Sequence, residues 1–392
     1  MLSFLAVLVT TLPILLTTAF AVEVSAGLAR GGAARRASPD ASEPSPEGVI
    51  VMPTHDEAAV IGDTLRRLQA ALGPGMRVLV VADNSHDATA PIARAHGAEV
   101  IERFEPDRKG KGYALAFARD HLAKAPPPCV VVLDADCETD GRSLARLMDV
   151  AMRRGRPVQA AYLLRPDAHA SPMLQVSNFA FFVRNLIRQR GLARIAGHVH
   201  LTGTGMAFPW PLFAAAPLAT ADIVEDLGLG LDMTLAGTAP LFAADATVWS
   251  AASSAAGTLK QRTRWEGGFL STARRRAVPM IARALRKRDP GLAWAGLSLA
   301  VPPLALLVML DAVAFIAAVL LYAAGASPVP AALLAIAGTA AALGVAAAWR
   351  TSGRAFLSGR AAARLPLYLF WKLPLYAGLL SRKERTWLRP GR

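Results

Sequence analysis

The chain has 392 residues, enough for one large domain or two ordinary ones; it is 53% hydrophobic and carries 43 basic against 29 acidic side chains, a net charge of +14. Its two cysteines, Cys129 and Cys137, form neither a disulfide framework nor a zinc-ligand pattern and read as reduced thiols. The basic residues cluster beside long apolar runs and no aromatic-basic ribbon appears, which argues against nucleic-acid binding and for a membrane.

Residues 2–22 (LSFLAVLVTTLPILLTTAFAV) contain no charge. At ~1.5 Å per residue such a helix reaches ~31 Å, enough to cross a hydrocarbon core of ~30 Å. A secretory signal would place basic residues before the apolar run. Here Arg30, Arg35 and Arg36 follow it, so the reading is a retained anchor over 1–24. Residues 25–48, rich in Ala, Gly, Ser and Pro, read as a linker.

From residue 49 short apolar runs alternate with helical patterns. VIVMP (49–53) precedes a helix to about Leu72, RVLVVAD (77–83) a helix around 87–96, AEVIER (98–103) a helix from about Tyr113 to Ala125, and CVVVLDAD (129–136) a helix from about Gly141 to Arg153. Unbroken apolar strands separated by helices indicate an α/β domain with a mostly parallel central sheet covered on both faces. Ligands of such sheets bind at the carboxyl ends of the strands. Those ends are acidic: Thr54-His55-Asp56-Glu57 after the first strand, Asp83-Asn84 after the second, Asp134 and Asp136 after the fourth. Carboxylates gathered in one crevice repel, and a hard divalent cation offsets them while bridging to substrate phosphates. A strand places residues i and i+2 on one face, so Asp134 and Asp136 are expected to look into the crevice together. Phosphatases of the haloacid-dehalogenase type also use two aspartates spaced by one residue, but want Thr or Val where Glu138 stands and place the motif on an early strand.

Farther along, residues 219–233 contain Glu225-Asp226, and residues 259–270 contain Gln261, Arg264 and Trp265. His198 and His200 have ligand-like spacing without an evident third ligand. A basic helical stretch (271–301) leads to two further spans, 303–324 and 329–349, expected as a hairpin across 302–349; Asp311 is their only charge. The tail, 350–392, is basic, and its segment 365–380, interrupted by Pro366, Lys372 and Pro374, reads as interfacial. Basic flanks orient the chain with both polar regions in the cytoplasm.

Taken in order, PTHDE, VADNSHD, GKG (110–112), DAD, GTGMAF (203–208), VED and QRTRW resemble the motifs of the membrane-bound family-2 glycosyltransferases, the group of cellulose- and hyaluronan-synthase-like enzymes with a QxxRW region. The chain departs from the pattern at Asp56, usually Asn, at Asn84 and His86, and in having fewer spans than processive synthases. The resemblance implies a GT-A-like nucleotide-sugar domain over 49–270, an inverting displacement and a Mg²⁺ or Mn²⁺ cofactor. It implies a UDP-sugar donor by family frequency, a lipid-linked or glycan acceptor, other polysaccharide-assembly proteins as partners, and a multi-pass place in a bacterial inner membrane with the catalytic domain cytoplasmic. By residue, it implies Asp136 with Asp134 on the metal; Pro53, Glu57, Asp83, Lys111, Asp134, Gln261 and Arg264 on the donor; Asp226 as the base; and Glu225 and Trp265 on the acceptor. Two other classes compete: a nucleotidyltransferase, which has no use for VED and QRTRW, and an inactive membrane scaffold, which no missing carboxylate supports.

Overall fold

A computed structural model describes residues 1–29, 46–250 and 255–381. The described chain forms two compact units, one of residues 46–165 with 198–250 and one of 1–29 with 166–197 and 255–381.

The first unit is built on a sheet. Its strands among the described residues are β1 (Gly48–Thr54), β2 (Met76–Asp83), β3 (Glu99–Arg103), β4 (Cys129–Val132), β5 (Cys137–Thr139), β6 (Val158–Leu164), β7 (Met206–Pro209) and β8 (Leu241–Ser250), ordered β3-β2-β1-β4-β7-β6-β8-β5. The pairs β1–β2, β2–β3, β1–β4 and β6–β8 are parallel; β4–β7, β6–β7 and β5–β8 are antiparallel. The sheet is thus mostly parallel, as the strand–helix alternation predicts. Val49, Val51, Leu79, Val81, Val130 and Val132 form one buried face and meet Ala114, Leu115, Ala118 and Leu122 of the helix Lys111–Leu122. Pro53 stands in a central strand, where a missing N–H would ordinarily break the ladder. It is tolerated because β4 pairs only with Val49–Val51, so β1 has outrun that neighbour by residue 53.

One expectation fails here. β4 stops at Val132, and Asp134 and Asp136 lie on the turn that leads into β5. Leu133 makes the last ladder bond, to the Val51 carbonyl at 3.0 Å. After it the Asp134 N–H goes to Thr204 Oγ1 (3.0 Å), and the Cys137 N–H returns to the Asp134 carbonyl (3.1 Å). The pleat therefore does not align the two carboxylates. A turn pinned by side chains does, with Thr64 Oγ1 donating to the Ala135 carbonyl at 2.6 Å as a further pin.

The second unit is helical. Three of its described helices are long and apolar enough to cross a membrane: Leu2–Leu28, Leu304–Ala323 and Val329–Thr351. The first continues past the expected boundary at residue 24 because Glu23, with no exposed surface, is held by Arg188 Nε (2.7 Å) and Trp294 Nε1 (3.2 Å). Linker residues 30–45 and tail residues 382–392 lie outside the described residues. Thr17 donates to Asp311 at 2.7 Å, so the one charge of the hairpin spans makes an interhelical polar contact. Segment 166–197, expected with the sheet domain, belongs to this unit as the helix Pro172–Phe182, the π-helix Val183–Arg188 and the helix Gln189–Ala196. Its apolar residues pack within the helical unit, where Phe179 and Phe182 stack at 6.0 Å and Phe182 meets Phe356 at 4.7 Å. The helix Ala255–Lys287 runs unbroken through the boundary expected at residue 270. In the helix Leu365–Ser381, Lys372 has no exposed surface and binds Glu266 at 2.7 Å, which answers the charge that interrupts this segment in sequence.

Removing one member of a buried ion pair strands the other, at a cost of about 3–5 kcal/mol. Glu23→Gln leaves Arg188 without its carboxylate, and its thermal unfolding in detergent should come at a clearly lower temperature than that of the parent. An unchanged midpoint would show that Arg188 finds its counter-charge elsewhere.

Candidate active site

At the carboxyl end of β2, Asp83 is buried beside Arg103 (2.5 Å) and Asn84 (3.1 Å). Arg103, also buried, reaches the Arg108 carbonyl (2.9 Å) and Glu105 (3.0 Å) as well. Burial lifts the Asp83 carboxyl above its ordinary value even against the Arg103 charge. Asp56 and Asn84, two of the departures from the family pattern, both have φ of 50°, a left-handed conformation that Asn and Asp tolerate best after Gly. Asp56 accepts from the His86 N–H (2.6 Å), and Asn84 Oδ1 from the Glu105 N–H (2.8 Å), so these residues brace the loops around Asp83. The Glu57 N–H donates to Thr89 Oγ1 at 2.7 Å.

The helix Lys111–Leu122 begins after Gly110, and Gly112 is needed there: a Cβ would lie 2.4 Å from the Leu218 carbonyl. This close approach fixes Lys111. Its ammonium binds Asp134 and the Gly203 carbonyl (2.7 Å). Burial disfavours the Lys111 charge, but Asp134, Glu225 and Asp226 outweigh it and raise the group above its ordinary value. Gly203 has φ of 92°, and a Cβ there would sit 3.4 Å from Asp226 Oδ2, so the GTG turn packs against the base candidate. Behind the turn Gln159, fully buried, donates to the Thr204 carbonyl (2.9 Å) and accepts from the Thr202 N–H (2.9 Å).

Glu225 and Asp226 open the helix Glu225–Leu235, where the positive end of the helix dipole favours carboxylates. Burial and the neighbouring Asp226 charge push the Glu225 carboxyl up to about 8 against the pull of Lys111. Ligand atoms of Asp134, Asp136 and Cys137 lie within 4.8 Å of one another, the one such group among the described residues. Burial, and then the Asp136 and Asp134 charges, hold the Cys137 thiol well above its ordinary value, so it stays neutral. That leaves a pair of hard carboxylate oxygens, a donor set that fits Mg²⁺ or Mn²⁺ and not a thiophilic ion. Glu138 turns away to Arg67 and Arg165.

The sheet unit therefore brings together Asp134, Asp136, Lys111, Glu225 and Asp226, and buries Asp83 at a neighbouring strand end. Sequence reasoning passed over Arg103, Thr204 and Gln159. Arg103 closes a strand that already carries Glu99 and Glu102, so its charge does not stand out; Thr204 lies inside the GTGMAF motif with no role marked there, and Gln159 carries no local signal. Gln261, Arg264 and Trp265 lie in the helical unit, on the helix Ala255–Lys287. There the motif's most buried cation is Arg262, at 8% exposure, stacked 4.4 Å from the Phe181 ring and 5.5 Å from Trp265. A helical face drawn from Gln261, Arg264 and Trp265 alone would have left Arg262 pointing away.

Glu225 provides a test of the cluster in metal-free protein. Its ordinary value is 4.5 and its folded value about 8. The unfolded chain thus ionises first, and the carboxyl subtracts stability progressively from pH 4.5 to about 8, by a constant amount above that. Glu225→Gln should remove this decline, raising the melting temperature of metal-free protein at pH 8 relative to parent and little at pH 4.5. Equal changes at both pH values would count against a raised carboxyl.

Residues 46–268 match the model of the family described as glycosyltransferase like family 2, and the chain belongs to that family. A dolichyl-phosphate hexose transferase of Haloferax volcanii is 32% identical over 163 residues, 40% of this chain and 63% of that protein. The low-salt glycan biosynthesis hexosyltransferase Agl6 of the same organism is 37% identical over 112 residues, 28% of this chain and 25% of that one. An uncharacterized glycosyltransferase of Mycobacterium bovis is 36% identical over 116 residues, 28% of this chain and 49% of that one. Each match thus spans less than two thirds of the relative. In fold the chain is similar to the mannosyltransferase PcManGT from Pyrobaculum calidifontis, solved in complex with GDP-Man and Mn²⁺, with TM-score 0.58, 20% identity, and coverage of 98% of this chain and 100% of that one. The GT-A-like α/β class, with apolar helices appended, is the fold of this chain.

Proposed function

We propose that this protein is a metal-dependent, inverting hexosyltransferase that moves a sugar from a nucleoside-diphosphate donor to a lipid-linked or polysaccharide acceptor at the cytoplasmic membrane face. The observation that carries the reading is the Asp134–Asp136 pair, set beside Lys111 and the Glu225–Asp226 pair at the carboxyl end of the sheet. Family membership and the hexosyltransferase names of its relatives support it.

In this reading Asp134 and Asp136 hold Mg²⁺ or Mn²⁺, which when bound stabilises charge on the departing diphosphate. Asp83 and Pro53 line the nucleoside side, Glu57 contributes to the same loop, and Lys111 passes from Asp134 to a diphosphate oxygen. Asp226 takes the proton of the acceptor hydroxyl as its oxygen attacks the anomeric carbon. The carbon–oxygen bond to the β-phosphate breaks on the opposite side, so configuration inverts and no carboxylate nucleophile is required. Glu225 orients the acceptor. The roles of Gln261 and Arg264 toward the donor, and of Trp265 toward the acceptor, rest on the QRTRW motif alone, as does membership in the cellulose- and hyaluronan-synthase-like subgroup. UDP as the nucleoside rests on family frequency. Basic flanks of the apolar helices support a multi-pass, inward-facing topology in a bacterial inner membrane.

The deciding experiment supplies membranes containing the protein with labelled UDP- and GDP-sugars, with and without EDTA. Metal-dependent transfer of label into lipid or polymer is expected. Pyrophosphate release would favour a nucleotidyltransferase, and no reaction with any donor an inactive scaffold.

A further inference from the structure

Lys111 and a divalent cation would claim the same carboxylate. The Lys111 ammonium holds Asp134 Oδ1, on one of the two aspartates read above as the metal site. It also holds the Gly203 carbonyl at 2.7 Å, and so ties the aspartate turn to the GTG turn. A cation arriving at Asp134 therefore meets a positive charge already seated on its ligand. Like charges held this close oppose one another, and more strongly in a partly buried site than in water.

The tie can break without moving either turn. The Asp134 N–H goes to Thr204 Oγ1 (3.0 Å), and Thr64 Oγ1 donates to the Ala135 carbonyl (2.6 Å), so other bonds keep the aspartate turn in place. The Lys111 backbone is fixed by the close approach of Gly112 to the Leu218 carbonyl. Its four-carbon stem is flexible and carries a compact charge that can pass from one oxygen to another. An ammonium has three donors. The two contacts use two of them, and with the side chain 20% exposed the third can meet an incoming anion. Lys111 is also the first residue of a twelve-residue helix, whose positive end favours an anion at the same place. A diphosphate carries more negative charge than one carboxylate, so it can draw the ammonium off Asp134.

We propose that Lys111 is a counter-ion switch: before donor binds, it blocks Asp134 against the divalent cation, and the donor's diphosphate lifts the block by drawing the ammonium away, so that metal and nucleotide bind as a coupled pair. The identity of the anion rests on the transferase reading; the block at Asp134 rests on the contact itself.

The test measures Mn²⁺ binding to the full-length protein in an uncharged detergent by electron paramagnetic resonance, alone and with excess UDP or GDP, allowing for the Mn²⁺ that free nucleotide holds. Lys111→Met should bind Mn²⁺ alone about tenfold or more tightly than parent, a factor within the usual range for coupled sites. With nucleotide bound the two proteins should differ little, because the parent's ammonium has then left Asp134. The enhancement of Mn²⁺ affinity by nucleotide should shrink by the same factor. Lys124→Met, exposed beyond the far end of the same helix, should leave both affinities unchanged. Should Lys111→Met fold poorly, Lys111→Gln, with a polar head on a shorter stem, should shift them in the same direction. Equal tightening with and without nucleotide would make Lys111 a fixed charge that never leaves Asp134. Unchanged affinity in both states would show that it does not contest the metal. Either result overturns the switch while nucleotide binding, and with it the transferase reading, stands. A parent protein that binds Mn²⁺ but neither nucleotide would instead sink the transferase reading, and the switch with it.

Discussion

Asp136→Asn should abolish sugar transfer and remove the metal dependence of nucleotide binding, while the protein still folds and inserts. Asp134 and Asp136 share a turn so tight that their ligand atoms lie within 4.8 Å of one another and of Cys137. Neither chain neighbour replaces the lost carboxylate, because Cys137 is held as a neutral thiol and Glu138 is engaged with two arginines. Asparagine keeps one oxygen donor but not the charge. A metal ion at a developing diphosphate supplies several kcal/mol, and each 1.4 kcal/mol is tenfold in rate, so a loss of about 10³-fold or more is expected. The metal-free variant provides an internal check. Two carboxylates held this close repel one another without a cation, so Asp136→Asn should melt no lower than parent in EDTA and gain less than parent when Mn²⁺ is added. Nucleotide binding by isothermal titration, with and without Mn²⁺, and transfer assays read both effects. Full activity in the variant, or in EDTA, would remove the metal from this turn.

The parts of this site that were legible in the sequence share one property: their signals are local. Apolar runs ending in carboxylates placed Asp83, Asp134 and Asp136 at one edge of a parallel sheet, and the edge is there. Glu225 and Asp226 carry only the local signal of an acidic helix start; the resemblance of the ordered motifs is what assigned them to the site. What was not legible depends on partners distant in the chain. The aspartate turn is set by Thr204, seventy residues from Asp134, and the GTG turn by Gln159, forty-five residues from Thr204; neither bond leaves a pattern in a window of ten residues. β4 ends early for the same reason, since a side chain from another loop takes the amide that strand extension would need. Segment 166–197 lies inside the family match yet packs with the helical unit, which its sequence does not show because its apolar residues report burial without reporting against what. Glu23 reads as the end of an apolar span, yet its charge is cancelled by Arg188, 165 residues away, and the helix continues. The Arg262 stack was missed because helical spacing places residues on faces but does not say which face meets aromatic rings.

Asp226→Asn should fail in a different way from Asp136→Asn. Donor affinity should persist, and turnover should fall at least ~10²-fold, the lower end of what a positioned base contributes. The local electrostatics support this division. Two adjacent carboxyls at one helix start cannot both ionise cheaply, and groups whose environments are pushed apart divide their roles. Burial and the Asp226 charge push Glu225 up to about 8, so near neutral pH Glu225 keeps its proton, which suits it less than its neighbour to the part of a base. The GTG turn confines that carboxylate: the bare Cα of Gly203, at φ 92°, leaves room that a Cβ would take, 3.4 Å from Asp226 Oδ2. Gly203→Ala should lower turnover in the same direction as Asp226→Asn, less severely, by straining the φ 92° turn beside Asp226 while leaving its charge. Lys111, drawn by Asp134, Glu225 and Asp226 together, loses part of its counter-charge in Asp226→Asn, but Asp134 still holds it, and the donor site should survive. Nucleotide affinity and single-turnover rate, measured separately, decide the assignment. Loss of donor affinity with an unchanged rate on bound donor would place Asp226 in the nucleotide site, and Glu225 would then be the next base to test.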